Sequence, residues 1–152
     1  MAYMEGKNVL SGREGTAFIT VDGQVKEIAY LKNIEASVEL NKVEVQTLGR
    51  RVTQHKINGW SGTGSMNVYY VTSLFRDMII DYIKKGKVTY FDIQVKNEDL
   101  SSTAGKQTTV LKNCLLNGAI LTKLDIEADY LDEDIEFTFE DADIPDTFSD
   151  EL

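Results

Sequence analysis

Apolar and polar residues alternate with period two over most of this chain, the spacing that turns one face of a β-strand toward a core. Residues 16–21 and 24–31 flank Asp22-Gly23, a dipeptide suited to the positive φ angles of a two-residue hairpin turn. Further on, Ile34, Ala36, Val38 and Leu40 alternate with Glu35, Ser37 and Glu39, after which Val43, Val45 and Thr47 carry the pattern on odd positions. The slip at Asn41-Lys42 predicts a β-bulge that bends a long strand without exposing its apolar face.

Residues 49–64 break the alternation and contain Gly49, Gly59, Gly62 and Gly64, which predicts a long loop or flexible hairpin. A strand is expected over 66–71. Leu74, Phe75, Met78, Ile79, Tyr82 and Ile83 then recur at spacings of three and four, with Thr72-Ser73 before them and Gly86 after, so a helix is expected over 74–85. Strands resume over 88–96 and 108–116. Over 120–130, Ile120, Thr122, Leu124, Ile126, Ala128 and Tyr130 face one way while Lys123, Asp125, Glu127 and Asp129 face the other, and Ile135, Phe137 and Phe139 repeat the pattern. If these last two strands pair, two rows of carboxylates align on one outer face: Asp125, Glu127 and Asp129 beside Asp134, Glu136 and Glu140. Pro145 is expected to end regular structure. The fold class is therefore mainly β, an antiparallel barrel or sandwich with one α-helix packed at its side or end.

Composition agrees with one globular domain over residues 1–152, with an N-terminal arm over 1–15, the long loop over 49–64 and an acidic tail over 141–152; 42% of residues are hydrophobic and 27% charged. The N-terminus carries no secretory pattern and no apolar run reaches membrane-spanning length, so a reducing cytoplasm without membrane anchoring is expected. Net charge is -9, which argues against a binder that works by neutralising phosphates. The charge is also divided: from Leu124 onward there are 13 acidic residues and no Lys or Arg, whereas the first 123 residues carry 16 basic and 12 acidic ones. Such separation points to surfaces that meet oppositely charged surfaces on other copies of the molecule.

Candidate chemistry is sparse. His55 is the single histidine and Cys114 the single cysteine, so neither a zinc tetrad nor a disulfide is available, and Cys114 lies among Leu111, Leu115 and Leu116 as an inert buried thiol would. Asp125, Glu127, Asp129 and Glu136 superficially match calcium-loop spacing, but Tyr130 stands where that loop demands glycine. The carboxylates share one environment, unlike the acid and base of a glycosidase, and the glycines at 59, 62 and 64 fit no phosphate-binding loop. No catalytic residue, metal or cofactor is expected. Gly49, Arg50, Arg51, His55, Lys56 and Trp60 form a basic stretch read as an assembly contact between rings, and the acidic rows as a lumen or interface face.

The whole pattern resembles the XkdM-like family of phage tail tube proteins, typified by the PBSX-type defective prophage and contractile tail-like particles. The resemblance is carried by Asn8-Val9-Leu10-Ser11-Gly12-Arg13-Glu14-Gly15, Asn41-Lys42, Glu44-Val45, Gly49-Arg50-Arg51, His55-Lys56, Gly62-Thr63-Gly64, Thr72-Ser73, Lys84-Lys85-Gly86 and Phe137-Thr138-Phe139-Glu140-Asp141 with Pro145. It implies a structural, non-enzymatic protein whose copies form hexameric rings stacked into a hollow tube through which DNA passes without specific binding. Sheath, baseplate and tube-initiator proteins are the implied partners, with assembly in the host cytoplasm and residence in a virion or tail-like particle. The competing readings are a monomeric ligand-binding β-barrel and a needle-tube protein of a type VI-like system.

Overall fold

The computed structural model describes residues 5–6, 12, 15–98 and 105–148. The expected arm over 1–15 lies almost wholly outside these residues, as do the polar loop over 99–104 and the last four residues of the acidic tail.

Eight strands and one helix follow in order: β1 (Gly15–Val21), β2 (Gln24–Glu27), β3 (Leu31–Val45), β4 (Gln54–Tyr69), α1 (Leu74–Lys85), β5 (Phe91–Glu98), β6 (Lys106–Leu116), β7 (Asp132–Phe139) and β8 (Asp141–Asp146). All pairings are antiparallel, in the order β2-β1-β5-β6-β7-β4-β3 with β8 added to β6. The hairpin turn at Asp22-Gly23 forms as expected, with φ of 51° and 79°, the two positive angles of a turn whose twist matches that of the flanking strands.

β6 holds the fold together. Its first part pairs with β5 and β8, and its last two residues, Leu115 and Leu116, pair with β7. The change of sheet happens at a bulge: Phe91 and Ile93 are two apart while their partners Cys114 and Leu111 are three apart. Asn113 absorbs the extra residue with φ of 53°, and its freed N–H donates to the Asp92 carboxylate at 3.1 Å. The strand bends there, and the sheet curls around one core of Ile19, Met66, Val68, Ile93, Leu111, Ile135, Phe137 and Phe139, closed by Phe75 and Met78 of α1. Phe75, Phe91 and Phe137 meet edge to face in series, with centroids 6.4 and 6.3 Å apart. The helix keeps its expected limits, although its cap is supplied by Thr72, whose Oγ1 accepts from the Leu74 N–H at 3.2 Å, and not by the Ser73 side chain.

Four expectations are corrected. Residues 54–64 are not loop but the greater part of the 16-residue strand β4, leaving only 46–53 as the connection. Gly62 and Gly64 are there because phenyl rings lie across them: a Cβ would sit 2.4 Å from Phe139 and 2.3 Å from Phe137. The bulge opposite Asn41-Lys42 exists, but its extra residue is Asn58 on β4, and the apolar face of β3 is left exposed at Val38 and Leu40. Residues 120–130 form no strand, so the carboxylate rows never pair. Regular structure does not end at Pro145: β8 sets Asp143 2.7 Å from Lys112, and Pro145 sits inside it at a register shift, where an outer strand tolerates a missing donor.

Candidate functional site

The basic stretch lies on a projecting arm. β3 pairs with β4 alone, and from Val38 to Ile57 every residue except Gln54 is exposed. A two-stranded ribbon with neither face covered is marginal in water, and this one displays Val38, Leu40, Val43, Val52, Ile57 and a fully exposed Leu48. Gly49, with φ of 84°, turns the tip, and Arg50 and Arg51 follow it in the connection. His55 stands opposite Glu44 and Lys56 opposite Val43, both exposed. Trp60 stands opposite Leu40 at the root, its ring 6.1 Å from Phe139. The six residues thus share one element, with Trp60 at the opposite end from Gly49.

The acidic residues divide. Asp134 and Glu136 point outward from β7, paired in register with Asn67 and Ser65 of β4, and Asn67 Nδ2 donates to Asp134 at 2.7 Å. On the far side of β4, Glu35, Ser37 and Glu39 of β3 stand opposite Ser65, Thr63 and Ser61. Together they make a polar face of four carboxylates among small hydroxyl residues, bordered at the Asp134 end by Asp132, which Lys32 of β3 meets at 3.1 Å. Glu35 and Glu39 were visible as the polar phase of β3, but their place beside Glu136 needed the register of β4, which the glycines concealed. Glu140 lies beyond β7, and its N–H donates to the Lys112 carbonyl at 3.1 Å.

Asp125, Glu127 and Asp129 lie instead in a pinned loop. Lys123 Nζ donates to the Asp132 carbonyl at 2.6 Å at one end, and at the other Lys32 Nζ donates to the Tyr130 hydroxyl at 3.0 Å and to Asp132 Oδ2 at 3.1 Å. Tyr130 also packs edge to face on Tyr69, 5.5 Å between centroids, with Lys32 over both rings. Between these ties Asp125 Oδ1 accepts from the Glu127 N–H at 3.0 Å, and Leu124 and Ile126 are 95% and 99% exposed. The Tyr130 hydrogen bond, then that of Asp132, hold Lys32 above the usual lysine range, while the Lys32 hydrogen bond holds Asp132 below the usual carboxylate range. Because folding lowers the Asp132 value, its contribution is complete above the unfolded-state value and is lost as pH falls through the folded one. The Lys32–Asp132 tie is therefore expected to hold from neutral pH down to the ordinary carboxylate value of 3.8 and to loosen only below it, read from the NMR signals of the Tyr130 and Tyr69 rings that Lys32 covers. Lys32→Met should release this end of the loop at every pH while leaving the Lys123 tie.

One buried charge and its partner escaped sequence reading. Glu133 is 1% exposed within the apolar phase of β7, and Arg76 Nη1 of α1 reaches its Oε2 at 3.0 Å while the guanidinium stacks 4.3 Å from the Tyr70 ring. Cys114 is buried as expected, and burial, then the Asp92 charge, push its thiol up to about 12.

The uncovered apolar arm, the acidic polar sheet face and the pinned apolar loop are surfaces suited to contact with other chains, as a structural protein offers. The same fold occurs in solved structures: a chain of the tube-terminating cap of the anti-feeding prophage matches with a TM-score of 0.71 at 10% identity, covering 96% of both chains. The sheath-tube complex of an extracellular contractile injection system, PVC, matches with a TM-score of 0.65 at 14% identity over 91% of this chain and 93% of that one. In sequence, the chain is 42% identical over 135 residues to the phage-like element PBSX protein XkdM of Bacillus subtilis (strain 168), covering 89% of each. The family model described as phage tail tube protein matches residues 2–146, and the chain belongs to that family. It is a structural component of a phage tail or tail-like particle.

Proposed function

We propose that the whole chain, 1–152, acts as one tube domain, that copies of it close into hexameric rings stacked as a hollow conduit, and that the β3–β4 arm reaches a neighbouring subunit. The arm carries this reading: half of a 16-residue strand with apolar side chains on both faces has no role in a monomer and gains cover only from another chain. Arg50, Arg51 and Lys56 at its distal part suit an acidic partner surface. The face of Glu35, Glu39, Asp134 and Glu136 suits the bore, where carboxylates within a Debye length of about 8 Å would keep passing DNA from adhering. Sheath, baseplate and initiator proteins are the partners of such a tube, with assembly in the host cytoplasm before residence in the particle.

Sedimentation and negative-stain microscopy over a range of concentration and salt test the tube, and hydrogen exchange tests the arm. Amides over 46–58 should exchange freely in the monomer and gain protection on assembly. Leu48→Asp with Val52→Asp should leave the melting temperature of the monomer within a degree or two, since surface changes usually stay within about 0.5 kcal/mol, and should stop assembly. Equal exchange in both states would remove the arm from the interface.

A further inference from the structure

We propose that the pinned loop over 124–129 of one copy plugs an apolar groove beside the C-terminal end of α1 on another copy, with the acids of the loop answering the lysines of the groove. The proposal rests on the self-assembly reading above and names a surface pair that the reading does not require.

The groove has a volume of about 290 Å³ and is lined by Met78, Ile79, Tyr82, Val88, Leu115 and Leu116, with Lys87 among its lining and no acid. Around it Tyr82, Ile83, Val88 and Tyr90 are each about half exposed or more, so the apolar area extends beyond the groove itself. Lys85 stands seven residues after Met78 and three after Tyr82, on the same helical face. Its i,i+4 neighbour Asp81 does not pair with it, and among the described residues Lys84, Lys85 and Lys87 have no ion-pair partner.

The loop has the complementary chemistry. Leu124 and Ile126 project fully into solvent from a segment tied at both ends, and among the described residues no cation closes on the carboxylates of Asp125, Glu127 and Asp129 around them. Scattered exposed aliphatic residues are ordinary; two at nearly full exposure on a loop held out by four polar ties are not. A preorganised loop loses little freedom on docking, so burying the two side chains gives net affinity. An apolar centre ringed by opposite charges is the arrangement that recognition surfaces use. Plug and groove differ in kind and occupy one chain, so their contact is heterologous and propagates into rings or filaments instead of ending at a dimer. The alternation over 120–130 reads as a strand because residues bound on one side by a partner and on the other by water obey the same period as a strand on a core.

The test is charge reversal with crosslinking on the full chain. Glu127→Lys with Asp129→Lys, or Lys85→Glu with Lys87→Glu, should each weaken association by about a hundredfold, since juxtaposed like charges oppose docking by several kcal/mol. Combining both pairs in one chain should restore it. Circular dichroism must show each variant folded, which exposed positions allow. In a second measurement, Ile126→Cys with Val88→Cys should yield disulfide-linked multimers on oxidation of assembled protein, with the buried native Cys114 silent. Assembly retained by all reversals, or oxidation yielding only monomers, overturns the plug while leaving the tube reading intact. A wild-type chain that stays monomeric both alone and in its particle overturns both.

Discussion

Gly64→Ala is expected to destabilise the subunit by about 2–3 kcal/mol, the upper part of the usual range for overpacking a core. A Cβ at position 64 would meet Phe137 Cζ at 2.3 Å and Cε2 at 2.6 Å. The ring cannot retreat, because Phe137 is fully buried and held edge to face by Phe91. The strand cannot retreat either, because β4 is fixed between β3 and β7 by the pairs Ala36–Gly64 and Gly64–Phe137. Denaturant titration should show the loss as a lower midpoint with an unchanged slope. Phe137→Leu in the same chain should recover part of it, since a shorter side chain makes room; two independent losses that simply add would show that the glycine matters for another reason. Gly59, close only to an Asn41 side chain at 3.7 Å, should not share this sensitivity to crowding.

Arg76→Met should be at least as damaging, about 3–5 kcal/mol, because it strands a buried carboxylate. Glu133 has 0% side-chain exposure and among the described residues is paired with Arg76 at 3.0 Å, while its Oε1 has no hydrogen-bond partner among them. The pair joins α1 to β7, so its loss should also loosen the helix, visible as faster hydrogen exchange over 74–85. Replacing both residues together, Arg76→Met with Glu133→Leu, should be close to neutral, since two apolar side chains of similar volume avoid the desolvation of both charges. A double variant as unstable as the single would assign the effect to the Arg76–Tyr70 stacking instead.

How much of this was legible in the chain depends on whether the partner of each residue was the core or something else. The Asp22-Gly23 turn and the limits of α1 were readable to the residue, because turn dihedrals and helical spacing are local properties, whereas the second hairpin strand ends at Glu27, short of the expected residue 31. Ile135, Phe137 and Phe139 were readable as a core face because alternation and burial coincide there. The glycines of β4 misled, because flexibility and close approach use the same residue, and only Phe137 and Phe139 across the sheet distinguish them. Glu133 hid in plain alternation, since a buried acid reads as an outlier until the cation of another element is seen beside it.

The candidate surfaces divide in the same way. Charge separation along the chain was a property of the sequence by itself, and so were the antiparallel class, the single helix, the inert thiol and the resemblance to tail tube proteins. Which acids share a face was decided only in three dimensions: β4 brings Glu35 and Glu39 alongside Asp134 and Glu136, and two lysines tie Asp125, Glu127 and Asp129 into a separate loop. Periodicity reports that one side of a segment differs from the other, which is a local fact. What lies against that side, a core, a partner or water, depends on register and strand order, and those are set by the packing of residues far apart in the chain.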